Sequence, residues 1–246
     1  MNVPLDGITI AGIIFVATIV RASLGFGEAL VGMSLLASFL PIKVAAPLIA
    51  LAGTLTASVI LVREWREVSV TAASLLGLSG FAGVPIGVWA LGWLDDQLVK
   101  CFLGALVLSF AGWSLSQRFR LELKTDRWAL GVGFVAGVLT GAYNTGGPPV
   151  VIFGTLRQWS PAKFRATLQS WAFLGGTWAI VCHAWENHLT SRVCSLFFWS
   201  IPGIMVACWI GRRLTSTLPQ ERFRKLVHWG LGALGCYLLI DAARST

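Results

Sequence analysis

Charge is scarce in this sequence. Only 12% of its 246 residues are Asp, Glu, Lys or Arg, against roughly 25% in soluble globular chains. So few ionic groups cannot cover the surface of a soluble domain this size. Hydrophobic residues make up 56% and the mean hydropathy is +0.74. Together these values exclude a soluble enzyme, a disordered chain and a secreted disulfide scaffold, and they point to an integral membrane protein. Acidic residues are the scarcer sign: 11 Asp and Glu stand against 19 Lys and Arg, for a net charge of +8. In a soluble chain that excess would suggest nucleic acid. In a membrane chain it is the excess that collects in cytoplasmic loops, and no nucleic-acid partner is expected.

Other features are missing as well. The five cysteines, Cys101, Cys182, Cys194, Cys208 and Cys236, are scattered through apolar runs with no CxxC and no His/Cys pairing at metal spacing. They read as small apolar packing residues, and neither a metal nor a cofactor is expected. The first apolar stretch, 7–20, follows Asp6 without a basic segment before it, so it is not read as a cleaved signal peptide. His183 and His188 flank Glu186 without HExxH spacing and read as part of an exposed loop. No Ser/His/Asp set or phosphate loop is visible. An enzyme is therefore not expected; an intramembrane enzyme assembled from distant residues is the rival class.

What is present is a series of uncharged runs: 44–62, 68–94, 101–117, 128–156, 166–185 and 193–211. A spanning helix needs about 20 mostly apolar residues, so each run can hold a membrane segment. A last apolar stretch, 226–240, holds only His228. Two regions do not read as simple spans. Region 7–40 is interrupted at Arg21-Ala-Ser-Leu-Gly-Phe-Gly-Glu28, and 128–156 at Gly141-Ala-Tyr-Asn-Thr-Gly-Gly-Pro-Pro149. Each splits into two arms of roughly 12–16 residues, and an arm of about 14 falls short of a ~30 Å hydrocarbon core. A re-entrant hairpin, a pair of short helices and one broken span all fit.

The chain also repeats itself. At an offset of 119, Phe15-Val-Ala17 matches Phe134-Val-Ala136 and Gly27 falls on Gly146. After one residue of slip, Pro41, Lys43 and Ala46 fall on Pro161, Lys163 and Ala166. At an offset of 124, Gly87 falls on Gly211, Leu94 on Leu218 and Lys100 on Arg224. The halves are then 1–116 and 128–246, joined by a charged cytoplasmic linker, 117–127. The expected fold is all-α, with two inverted-topology repeats, each a broken or re-entrant pair of short helices followed by three transmembrane helices.

Charge counting selects the topology. If each two-armed unit returns to its starting side, 14 basic residues, among them Arg63, Arg66, Arg165 and Arg212, share one face. Four, Lys43, Lys100, Arg192 and Arg244, share the other, and Arg21 is left at a break. If each unit crosses once, the split is 10 to 8, which is hardly a bias. The positive-inside rule prefers the first arrangement, with both termini periplasmic. Trp65, Trp93, Trp128, Trp159 and Trp185 fall at expected segment ends, where interfacial tryptophans gather.

Inverted repeats with broken helices place a binding site at the bilayer midplane, and the two interruptions are the candidates. Ser23, Gly25, Phe26, Gly27 and Glu28 belong to the first; Tyr143, Asn144, Thr145, Gly146, Gly147 and Pro148 belong to the second. Glycines let backbone N–H groups approach a ligand, Pro148 and Pro149 suit a first helical turn, and two helix N-termini facing one pocket would hold an anion. The alternative is that the glycines are packing notches, which is how Gly133, Gly137 and Gly141 read. Arg21, a costly charge within the membrane, either meets a substrate anion or bridges to Glu28. Gln169 could add specificity or simply bond a neighbouring helix.

On these residues the whole chain resembles the sulfite exporter TauE/SafE family of membrane permeases. A first arm runs into Leu-Gly-Phe-Gly-Glu28 and a short arm ends before Pro41. The second half repeats this with Asn144-Thr-Gly-Gly-Pro-Pro149 and Ser160-Pro-Ala-Lys-Phe-Arg-Ala166. The resemblance implies a multi-pass transporter of a bacterial inner membrane, with sulfite, sulfonates and other small sulfur-containing anions as suspected substrates. Export would be helped by a negative interior, by about 2.3 kcal/mol per charge per 100 mV. Proton coupling through Glu28, uptake of another small organic acid and a homodimer are left open.

Overall fold

The computed structural model describes residues 7–93, 96–116 and 122–217, together with Trp229, Gly232, Cys236 and Ile240. Every regular element among the described residues is helical. The expected last apolar stretch, 226–240, lies outside them apart from those four positions, as do the first five residues of the 117–127 linker and the Leu94–Leu218 and Lys100–Arg224 matches.

The first interrupted region forms α1 (Gly7–Leu24) and α2 (Glu28–Leu36). Three longer helices follow: α3 (Ile42–Glu64), α4 (Val70–Trp93) and α5 (Asp96–Ser116). The second region forms α6 (Ala129–Tyr143) and α7 (Gly147–Leu156), followed by α8 (Pro161–Trp185) and α9 (Ser191–Thr217). Short 3-10 turns, Trp65–Glu67 and Asp126–Trp128, precede α4 and α6.

Both breaks are narrower than the sequence suggests, and the arms are less equal. The first pair is 18 and 9 residues long, and the second 15 and 10. Arg21-Ala-Ser-Leu24 has no helix breaker, so α1 runs on and Arg21 sits in its last turn. Only Gly25 (φ 85°) and Gly27 (φ 98°) adopt the left-handed backbone that turns the chain, a conformation glycine takes at little cost. In the second half α6 continues through Gly141 and ends where Asn144 takes φ 52°. Asn tolerates that region as a helix cap. The next helix starts on Gly147-Pro148-Pro149, where missing N–H donors cost nothing.

Among the described residues, four helices are long and apolar enough to cross a membrane: Gly7–Leu24, Ile42–Glu67, Val70–Trp93 and Ser191–Leu214. The more polar α8 starts on a capped turn, with Ser160 Oγ accepting from Lys163 N. Trp65, Trp93, Trp128 and Trp185 are exposed at helix ends. Trp159 instead turns inward, its ring edge-on to Phe153 at 5.4 Å.

Packing follows the small residues. Helix α4 lies along α6, α1 along α9, and α3 along α8. Gly80, Gly83 and Gly87 on α4 meet Gly133, Gly137 and Gly141 on α6 so closely that a Cβ at any of them would overlap the opposite backbone or a side chain. This is the close approach that small residues permit between membrane helices. On the other pair, Gly211 of α9 fits against Ala22 and the Ile19 carbonyl of α1.

One expectation fails at the α8–α9 connection. His183 is fully buried rather than part of an exposed loop. It still belongs to α8, on the buried side of its last turn with Cys182, and its Nδ1 lies 3.2 Å from Nδ1 of half-buried His188. Burial, with Lys43 nearby, lowers the pKa of His188, and Glu186 only partly opposes this.

Candidate functional site

The two breaks meet. A cavity of about 50 Å³ is lined by Gly25, Phe26, Gly27 and Glu28 from the first break and by Asn144, Thr145, Gly146, Gly147 and Pro148 from the second, with Arg21 between them. The first turns of α2 and α7 therefore share one space. Ten of the residues singled out from sequence line it. The remaining three, Ser23, Tyr143 and Gln169, do not, although all are buried or nearly so. Ser23 Oγ donates to the Gly211 carbonyl at 3.2 Å, which ties the end of α1 to α9. Tyr143 closes α6.

Arg21 organises the floor of the cavity. Its Nη1 donates to Glu28 Oε2 at 2.9 Å and to the Gly53 carbonyl at 3.1 Å. Its Nε and Nη2 both donate to Gln169 Oε1, at 3.0 and 2.8 Å. Four of the five guanidinium N–H groups are thus matched. Gln169 passes the network on, since its Nε2 donates to the Gly25 carbonyl at 2.7 Å. The arginine and its partners come from four helices, α1, α2, α3 and α8, so the bridge to Glu28 read from sequence and the bond to Gln169 belong to one assembly.

Glu28 is 1% exposed, and an isolated carboxylate could not stay charged there. It is matched on both oxygens. Oε2 takes Arg21, and Oε1 takes the hydroxyls of Thr18 at 2.9 Å and Thr56 at 3.1 Å. Thr56 Oγ also lies 2.9 Å from the Ala52 carbonyl. Its single proton can go to either acceptor. Glu28 is also the first residue of α2, where a negative charge is favoured by the helix dipole.

Sequence reasoning missed Thr18, Gly53 and Thr56, which stand inside unbroken apolar helices. It also missed Leu168, Trp171 and Ala172, which supply a wall from α8. Gly53 makes room for the network: a Cβ there would lie 3.0 Å from Asn144 Nδ2 and 3.2 Å from Arg21 Nη1. A polar residue spaced to reach an interruption is the only signal that could have found the threonines. Asn144 Nδ2 donates to the Ile49 carbonyl at 3.0 Å, which pins the second break to α3. Among the described residues, no three His, Cys, Asp or Glu gather at metal-binding distance.

The first turns of two helices, the Arg21 guanidinium and the Glu28 carboxylate paired with it thus face one small cavity. The sequence model of the family described as sulfite exporter TauE/SafE matches residues 10–238. A protein of Cupriavidus necator described as a probable sulfite/organosulfonate exporter TauE is 26% identical over 186 residues, covering 73% of this chain and 70% of its own. No solved structure matches.

Proposed function

This chain belongs to the sulfite exporter TauE/SafE family, a family of multi-pass membrane transporters rather than enzymes, and we propose that it exports a small sulfur-containing anion such as sulfite or an organosulfonate. The observation that carries this reading is the shared cavity, where the first turns of α2 and α7 and the Arg21 side chain converge. Its size favours a small ligand: at ~10–15 Å³ for one water, about 50 Å³ admits a group of only a few heavy atoms. A sulfite ion, one sulfur with its oxygens, is of that order.

Transport proceeds by alternating access between two inverted halves, 1–116 and 128–246, with both termini periplasmic and the linker 117–127 cytoplasmic. Two pairs of contacts support the repeat. Gly87 fits against the Val138 carbonyl of α6, and Gly211 against the Ile19 carbonyl of α1. Gly87 falls on Gly211 and Ile19 on Val138 at the sequence offsets of 124 and 119. Likewise Gln169 Nε2 donates to the Gly25 carbonyl, and Asn144 Nδ2 to the Ile49 carbonyl. Gly25 falls on Asn144 at 119, and Ile49 on Gln169 after the one-residue slip. In each case a contact between the halves returns when the halves are exchanged. A site at that interface, built from broken helices, is where inverted-repeat carriers bind near the midplane of the bilayer.

A second reading is proton-coupled uptake of another small organic acid. The Thr56 hydroxyl favours it: with its proton on the Ala52 carbonyl, it can accept from a protonated Glu28. Protonation would also release Arg21 to an anion.

Purified protein in liposomes with an imposed potential tests both readings against sulfite, a sulfonate and a carboxylate. Sulfite or sulfonate flux above empty liposomes, growing as the anion-containing side is made more negative, is expected. Flux that needs an inward proton gradient would favour the second reading, and no flux of any of the three would remove both.

A further inference from the structure

On the far side of the first break lies a larger cavity, of about 360 Å³, lined in part by Ser23, Leu24, Glu64, Glu67 and Arg165. Leu24 lines this cavity, and its neighbour Gly25 lines the small one. Consecutive residues of the first break thus form a partition between the two cavities.

Arg165 lies across that partition. A Cβ on Gly25 would come 3.1 Å from Arg165 Cγ, so the stem of the arginine rests on the glycine face. The Gly25 carbonyl is held by Gln169, one helical turn further along α8. Thus α8 grips the break at two successive turns, one reaching the inner network and one facing outward. The head of Arg165 then reaches the end of α3, where Nη2 meets Glu64 Oε1 at 3.0 Å.

That ion pair is half made. A guanidinium and a carboxylate can form two parallel bonds, yet Arg165 Nε and Glu64 Oε2 are both buried without a hydrogen-bond partner. Both side chains retain partial exposure, 24% and 29%, so the pair can be reached and rearranged. By contrast, a second partly buried pair among the described residues, Arg157–Asp126, is reinforced by a bond from Arg157 to the Leu123 carbonyl and lines neither cavity.

We propose that Arg165 and Glu64 form the latch that closes the small cavity from the large one. With the pair formed, α3 and α8 are drawn together over Gly25. A small oxyanion arriving in the large cavity competes with Glu64 for the guanidinium, the pair opens, and the break is free to move. Arg165 is thus a positioning residue that senses the anion before Arg21 does. The inference rests on the transport reading, but its test needs no substrate.

Gly147 lines the small cavity, and a Cβ there meets nothing within 4 Å, so Gly147→Cys supplies a reporter. In proteoliposomes, its reaction with a small membrane-impermeant thiol reagent is followed from the side bearing Glu64, with protein lacking the reporter as background. Glu64→Gln and Arg165→Gln should each raise the labelling rate several-fold. The exchanged pair, Glu64→Arg with Arg165→Glu, should return it towards the slow rate. Arg165→Lys, which keeps the charge without the fork, should lie between, and it serves if a neutral variant does not fold. Asp126→Asn should leave the rate unchanged. Rates unaffected by every change at 64 and 165, or raised equally by Asp126→Asn, would overturn the latch. Absence of sulfite flux would leave this readout intact, and unchanged labelling would leave the flux assay intact.

Discussion

Arg21 and Gln169 stand 148 positions apart, yet two nitrogens of the arginine donate to one oxygen of the glutamine, at 3.0 and 2.8 Å. This joins the last turn of α1 to the middle of α8, and it holds a charge that the membrane interior would otherwise expel.

The first prediction concerns that charge. Arg21→Ala should abolish transport while leaving membrane insertion intact. It strands Glu28, 1% exposed, and breaking one side of a buried pair costs about 3–5 kcal/mol. Thermal unfolding in detergent should therefore show a marked loss. Adding Glu28→Gln removes the stranded charge and should recover much of the stability but no flux. Recovered flux in the double variant would take Arg21 out of the site.

Gly53 offers a sharper probe, because its carbonyl accepts from Arg21 while its missing side chain leaves room for the rest of the network. A Cβ there would lie 3.0 Å from Asn144 Nδ2 and 3.2 Å from Arg21 Nη1, tighter than ordinary contact. Gly53→Ala should lower transport severalfold, with a stability cost on the overpacking scale of about 1–3 kcal/mol. Gly12→Ala, where a Cβ meets nothing within 4 Å, should do neither. Equal flux in the two variants would separate Gly53 from transport.

The adjacent glycines of the second break should differ in kind. A Cβ at Gly146 would overlap Thr140 Oγ and the Ala136 carbonyl, whereas one at Gly147 has open space. Gly146→Ala is expected to destabilise the protein. Gly147→Ala should fold normally and shift selectivity towards the smallest anions, read as the ratio of sulfite to sulfonate flux. An unchanged ratio would place the substrate elsewhere.

Topology can be read from two cysteines. Lys124→Cys, on the linker side, should resist an impermeant thiol reagent applied from the periplasm, while Arg192→Cys should react. Ready labelling at 124 from that side would reverse the orientation, and labelling of neither would contradict the exposure of Arg192.

Much of this fold is written in one-dimensional features. Uncharged runs of near-bilayer length determine helices, because a backbone in lipid must satisfy its own hydrogen bonds. Gly25 and Gly27 determine a turn, since their left-handed φ values suit no other residue as well. The Gly-Pro-Pro run determines where α7 begins. These are local properties, and sequence carries them directly.

What sequence left open was decided by packing between distant segments. Arg21 had two partners in prospect, and the tertiary structure gives it Glu28, Gln169 and the Gly53 carbonyl together. Thr18 and Thr56 look like ordinary residues of apolar helices until α1 and α3 place both hydroxyls on one carboxylate oxygen. His183 reads as a loop residue until the last turn of α8 buries it. A buried polar group must find a partner, but which partner depends on helices brought together from across the chain, and that information exists only once they have packed.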